Sequence, residues 1–167
     1  STWMFPTTDR GLVTAQDGYL RRENKYSGTD KLTRIPPGAM SISKTTNIDV
    51  LNCSFYALGS AGVRVLDGTQ KINIIGNLIK DTGCGGMYIG SVENPEINPK
   101  DTRRTVSDVN VLNNYIHHVS IDNRASAGLS IGYPYNCTIM HNEIHDVPYS
   151  GVHTGWGWGS VLRKTLE

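Results

Sequence analysis

The chain has 167 residues, 38% of them hydrophobic, and a formal net charge of +1. That length and apolar content suit one domain with a real core and exclude a disordered tail. A near-neutral charge without a dense Lys/Arg patch removes the electrostatic footprint of a nucleic-acid or anionic-membrane binder, and no apolar run is long enough to span a bilayer.

In chain order, residues 1–38 carry Pro6, Pro36, Pro37 and several glycines and share no pattern with the remainder of the chain, so an irregular leading segment is expected, with Trp3, Met4 and Phe5 covering an end of the fold. The start, Ser1-Thr2-Trp3, lacks the basic and apolar regions of a secretion leader, which points to an already processed chain. From residue 39 a repeat takes over. Four segments alternate polar and apolar residues: Asn47–Val50, Lys71–Ile74, Asp108–Val111 and Asn136–Ile139. Each is followed by Cys53, Asn77, Asn114 or Asn142, and two places later by Phe55, Ile79, Ile116 or Ile144. Glycines at 62, 86, 128 and 151 then open a third apolar stretch, and Ala39 takes their place once earlier.

The steps between these positions are 23 (39 to 62), 24 (62 to 86), 42 (86 to 128) and 23 (128 to 151). The long step holds two insertions, 91–107 and 120–127. Short alternating strands at this period, with nothing recurring at helical spacing, predict an all-β fold, a right-handed parallel β-helix of four to five coils over 39–159. Ile48, Ile72, Val109 and Cys137 should form one core column, and Val65, Ile89, Ile131 and Thr154 another. Asn77, Asn114 and Asn142 should form an amide ladder at a tight corner, occupying the left-handed conformation that Asn tolerates. The competing arrangement is an antiparallel sandwich with these Asn as ordinary turn formers.

Alternation sends Arg64, Tyr88, Ser130 and His153 outward on one face, with Asp67, Ser91, Tyr133 and Trp156 just past the strand ends. Aromatic faces stack on sugar C–H surfaces, and Arg or His can bind glycan hydroxyl or carboxylate groups. Glycoside hydrolysis needs two carboxyl groups, and stacked coils would bring two acids of one column into range. This face has no such pair. Its acid–base candidates are Asp67, Glu93 and Asp122, together with His153; Glu93, Glu96, Asp122 and Arg124 lie in the inserted loops, and Asp81 and Asp146 share a column elsewhere, beside Lys80 and His145. His141 and His145 are too separated on strand and corner to form a helical metal pair, Gly83–Gly86 reads as a tight corner, and Cys53, Cys84 and Cys137 have neither disulfide-framework nor zinc spacing. No metal or cofactor is signalled. Residues 160–167 read as a tail, with Leu166-Glu167 resembling a tag remnant.

The stretch HNEIHDVPYSGVHTGWGWG (141–159), with NNYIHHV (113–119) and the glycine units at 86 and 128, resembles the parallel β-helix glycoside hydrolases that include α-L-fucosidase and xylanase activities. The resemblance implies an interior fragment of a secreted bacterial enzyme, extracellular or periplasmic, acting on polysaccharide. It implies a substrate groove bordered by Tyr149, His153, Trp156 and Trp158, beside Arg64, Tyr88 and Tyr133 of the outward face. It also implies catalytic acids in coils beyond the GWGWG element, in an Asp-Gly-Gly context absent here. An uncapped last coil would favour end-to-end self-association. A polysaccharide lyase and a non-catalytic glycan-binding or structural β-helix are the alternatives.

Overall fold

The computed structural model describes residues 20–22, 32–92 and 99–155. Two short strands, β1 (Leu20–Arg22) and β2 (Leu32–Arg34), pair antiparallel within the segment expected to be irregular. Three residues each are too few for alternation to reveal them, and their order comes from mutual backbone bonding. Trp3, Met4 and Phe5, expected to cover an end, lie outside the described residues.

All other described pairings are parallel. After β3 (Gly38–Ile42), the chain repeats one three-strand turn four times: β4 (Thr46–Leu51), β5 (Ser54–Leu58) and β6 (Ala61–Val65); β7 (Gln70–Ile75), β8 (Leu78–Thr82) and β9 (Met87–Ile89); β10 (Ser107–Leu112), β11 (Tyr115–His117) and β12 (Leu129–Ile131); β13 (Tyr135–Met140), β14 (Glu143–His145) and β15 (Val152–Thr154). First strands stack as sheet I (β4-β7-β10-β13), second strands as sheet II (β5-β8-β11-β14), and third strands with β3 as sheet III (β3-β6-β9-β12-β15). Sequential strands therefore never pair with each other in these sheets, which rules out the antiparallel sandwich.

The registers are those read from the repeat. Ile48, Ile72, Val109 and Cys137 face one another along sheet I, and Val65, Ile89, Ile131 and Thr154 along sheet III. Gly62, Gly86 and Gly128 stack so closely that a Cβ on Gly86 would stand 2.6 Å from the Gly128 carbonyl oxygen. Inside the tube, Ile72, Ile74, Ile79 and Met87 of one turn and Val109, Val111, Ile116 and Leu129 of the next are completely buried. Each such side chain stabilises by about 1.5–3 kcal/mol relative to exposure.

The turn from sheet I to sheet II is the same two-residue corner in every coil, and a side-chain ladder runs through it. Asn114 Oδ1 accepts from both the backbone N–H and the Nδ2 of Asn77, at 3.0 and 2.9 Å, while Asn114 Nδ2 donates to the Ile74 carbonyl at 2.9 Å. Asn142 repeats this toward Asn114, and Cys53 closes the ladder by donating its N–H to Asn77 Oδ1. The left-handed conformation falls one residue earlier than expected, on Asn52, Gly76, Asn113 and His141, with φ of 50°, 69°, 54° and 56°. The preceding residue must bend the chain so that the ladder amide points inward, and a side chain held in the interior has no reason to take that bend itself. At Gly76 a Cβ would stand 2.5 Å from Asn52 Oδ1, so a side chain there would have to displace the exposed Asn52 amide.

Replacing Asn114 with alanine strips hydrogen bonds from buried groups of three coils, and a loss on the order of 3 kcal/mol is expected in denaturant unfolding. Ala57 at φ 53° is exposed and has no polar side chain to ease that conformation. Ala57→Gly should raise the denaturation midpoint, by about 1 kcal/mol of stability.

Candidate functional site

Turn lengths single out sheet III. The connections from sheet I to sheet II never lengthen, whereas residues 90–106 leave β9 on one edge of sheet III and residues 118–128 enter β12 on the other. Both insertions thus wall the same face, as loops that carry function commonly do. The described part of the first contains a 3-10 turn, Thr102–Arg104, capped by Asp101; Glu93 and Glu96 lie outside the described residues.

On this face Ser41, Arg64, Tyr88, Ser130 and His153 form one outward column in register. Arg64 Nε donates to Ser41 Oγ at 2.7 Å. The middle of the column is not an open platform, contrary to expectation. Tyr88 is 0% and Ser130 1% exposed. Ile35, Ala61, Cys84 and Val92 pack around the Tyr88 ring, with Leu66 and Tyr133 against them, forming a small apolar cluster outside the tube. Beneath it the Tyr88 hydroxyl lies 3.3 Å and Ser126 Oγ 2.9 Å from Cys84 Sγ. Burial raises the Cys84 thiol's pKa, opposed by its hydrogen bonds to Ser126 and Tyr88, so it stays protonated and serves as packing rather than as a nucleophile. Ser130 Oγ is buried with no hydrogen-bond partner among the described residues.

What remains accessible lies toward the ends of the column. Arg64 and His153 are half-buried, and Tyr149, in the corner before β15, is 41% exposed. Trp156 and Trp158 lie outside the described residues. Asp67 and Asp122 stand on opposite edges of the sheet, in the connections leaving β6 and entering β12. Asp67 is engaged: its two carboxylate oxygens accept from Arg104 Nε and Nη2 at 3.0 and 2.6 Å. This pair borders a surface groove of about 610 Å³ lined by Lys44, Asp67, Gln70, Asp101, Arg103 and Arg104. Asp122 is exposed, its backbone N–H bonded to the Gly83 carbonyl at 3.1 Å. Residues 83–86 form the tight corner read from the sequence, joining β8 to β9.

A second constellation, which the repeat columns alone do not single out, lies on the outer face of sheet II. Register places His117 beside His145 and Tyr115 beside Glu143, and carries His118 next to Asp146. The signal in the sequence is the parallel spelling of Tyr115-Ile116-His117-His118 and Glu143-Ile144-His145-Asp146. His145 Nδ1 lies 2.8 Å from Asp146 Oδ2, and His145 Nε2 lies 2.9 Å from the Tyr115 hydroxyl. The His117 and His145 rings stack at 5.2 Å and 10°. Desolvation, then the neighbouring His118 and His145, lowers the His117 pKa, while the hydrogen bond from His145 lowers that of Asp146. Among the described residues no group of three or more His, Cys, Asp or Glu side chains is arranged to hold a metal ion.

No family model matches the chain, and no curated protein does. A solved structure does match. Named "Glycoside hydrolase", it is 28% identical, superposes with a TM-score of 0.78 and covers 89% of this chain. The chain spans 28% of the length of that protein. The likeness supports a β-helix of glycoside-hydrolase-like fold.

In the inserted loop, Asp101 accepts from Arg103 Nε and Nη2 and from the Arg103 backbone N–H. The side-chain hydrogen bond, before the backbone one, draws the carboxyl pKa down to about 2. A carbon-detected NMR titration should find the Asp101 carboxyl still ionised as pH falls past the ordinary carboxylate range, with its midpoint near 2. Arg103→Ala should move that midpoint up, since charge-assisted hydrogen bonds favour the ionised form.

Proposed function

We propose that this chain is part of a carbohydrate-active β-helix, a glycoside hydrolase related to the group with α-L-fucosidase and xylanase activities, and that sheet III forms part of its polysaccharide groove. The observation that carries the reading is the likeness, over 89% of the chain, to a solved glycoside hydrolase. The two loop insertions support it, because both border the face that holds Arg64 and His153. In this reading Arg64 and His153 bond glycan hydroxyl or carboxylate groups, and Tyr149 and Tyr133, on opposite edges of the sheet, offer rings for stacking. Tyr88 supports the groove floor from below rather than touching sugar.

Hydrolysis in this scheme uses paired carboxyl groups, one as acid and the other as base or nucleophile. Asp67 is held by Arg104 and Asp122 stands across the sheet, so we assign that pair to parts of the protein outside this chain. The whole protein then acts on polysaccharide in the periplasm or outside the cell. Affinity electrophoresis in gels containing soluble plant polysaccharides tests the groove. Retardation is expected with at least one of them, and Arg64→Ala should weaken binding about tenfold, the contribution of one charged hydrogen bond. Unretarded migration in every gel would leave sheet III without a glycan. A lyase reading draws on a different observation, the phenol–imidazole–carboxylate chain of sheet II.

A further inference from the structure

Asp146, His145 and Tyr115 stand in one hydrogen-bonded line. Asp146, ionised, can only accept, so the 2.8 Å contact puts the imidazole proton on His145 Nδ1. In its neutral form His145 presents a lone pair at Nε2, to which the Tyr115 hydroxyl, 2.9 Å away, can donate. A carboxylate that fixes the tautomer, a base, and a hydroxyl within its reach are the parts of an activated oxygen.

Geometry holds each part in place. Tyr115 and His145 lie on adjacent strands of sheet II, locked by the pairing of Tyr115 with Glu143 and His117 with His145. Ile116 and Ile144 between them point into the core. Asp146 follows β14 at φ 50°, a bend that swings its carboxylate back toward its neighbour's ring. His117, stacked on His145, also lies against Tyr115, with ring centroids 4.5 Å apart. Glu143 Oε1 is 3.8 Å from His145 Nε2 and His118 Nδ1 is 3.7 Å from Asp146 Oδ2. One strand further along the column from His117 is Lys80, whose ammonium lies 3.7 Å from Asp81. The face therefore offers a basic oxygen and an acid partner for it, with a cation next to His117 and two strands from His145.

We propose that Tyr115, His145 and Asp146 form a second reactive centre, separate from the sheet III groove, that removes an acidic carbon-bound proton from a uronate residue of an acidic glycan. Lys80 binds the substrate carboxylate, which makes the adjacent C5–H more acidic. Tyr115 passes its proton to His145 Nε2, and the imidazolium so formed is stabilised by Asp146. The phenolate takes the C5 proton. The C5–H electron pair becomes the C4–C5 double bond, the C4–O bond breaks, and the departing oxygen takes the proton from His145. Tyr115 ends protonated and His145 neutral, so the centre is restored with no other reactant. This centre does not depend on the hydrolase reading.

The test incubates the whole chain with polygalacturonate and with alginate, using xylan as an uncharged control, and follows ultraviolet absorbance of the unsaturated uronate. Absorbance should rise with a polyuronate and not with xylan. Tyr115→Phe and His145→Asn should each lower the rate at least about a hundredfold, and Tyr135→Phe, on sheet I, should leave it unchanged. A second measurement reads the oxygen itself. Tyr115 is 39% exposed against 58% for Tyr56 and 71% for Tyr135, yet N-acetylimidazole should acetylate Tyr115 first, and His145→Asn should abolish that lead. No unsaturated product from either polyuronate, or acetylation that tracks exposure, overturns the proposal. New reducing ends without unsaturation overturn it while leaving the hydrolase reading standing.

Discussion

The two-residue corner between sheets I and II is the constraint on which the rest of the structure depends. A parallel stack has to hold each strand in one register, because a slip of one residue would turn every core side chain outward. At this corner, Asn77, Asn114 and Asn142 do that through amides that bond both to one another and to the backbone of the coil before. The carbonyls they satisfy, of Val50, Ile74 and Val111, belong to residues that also line the core. Polar satisfaction and hydrophobic packing are thereby fixed by the same atoms. The outer face of sheet I carries a weaker echo, in which Asn110 donates to Asn73 and Asn73 to Asp49.

With the register held, side chains of one column present themselves at strand spacing, and chemistry arises wherever neighbouring coils carry different residues at the same position. On sheet III the column mixes a cation, a phenol, a hydroxyl and an imidazole, but the enclosing loops bury its middle. On sheet II no long loop leans over the described strands, and Tyr115, His117 and His145 meet in the open. The two faces differ in how much solvent the loops exclude. Loop-walled sheet III suits selective holding of a polymer, while sheet II displays reactive groups brought together by strand pairing and by the bend at Asp146.

Most of the tube was legible in the sequence because a repeat states its own three-dimensional neighbours: residues a period apart touch. Hence the columns of Ile72 with Val109 and of Ile89 with Ile131 could be named from the sequence. What the period does not encode stayed hidden. The left-handed residues Asn113 and His141 precede the ladder amides, a one-residue offset that only backbone geometry reveals. Burial of Tyr88 depends on Ile35 and Val92, which belong to non-repeating segments and leave no periodic trace. The sheet II cluster was spelled out in Tyr115–His118 and Glu143–Asp146, but its importance lies in side-chain hydrogen bonds that alternation cannot report.

Length variation is confined to the corners that border sheet III, while the asparagine corner keeps two residues in each coil. The fold is thereby divided into a part that sets pitch and a part that is free to diversify. New chain can be spliced into 90–106 or 118–128 without disturbing the rungs, so specificity on that face can change quickly in descent or by engineering. A single residue added between Leu112 and Tyr115 would instead displace Asn114 from the amide ladder that joins it to Asn77 and Asn142.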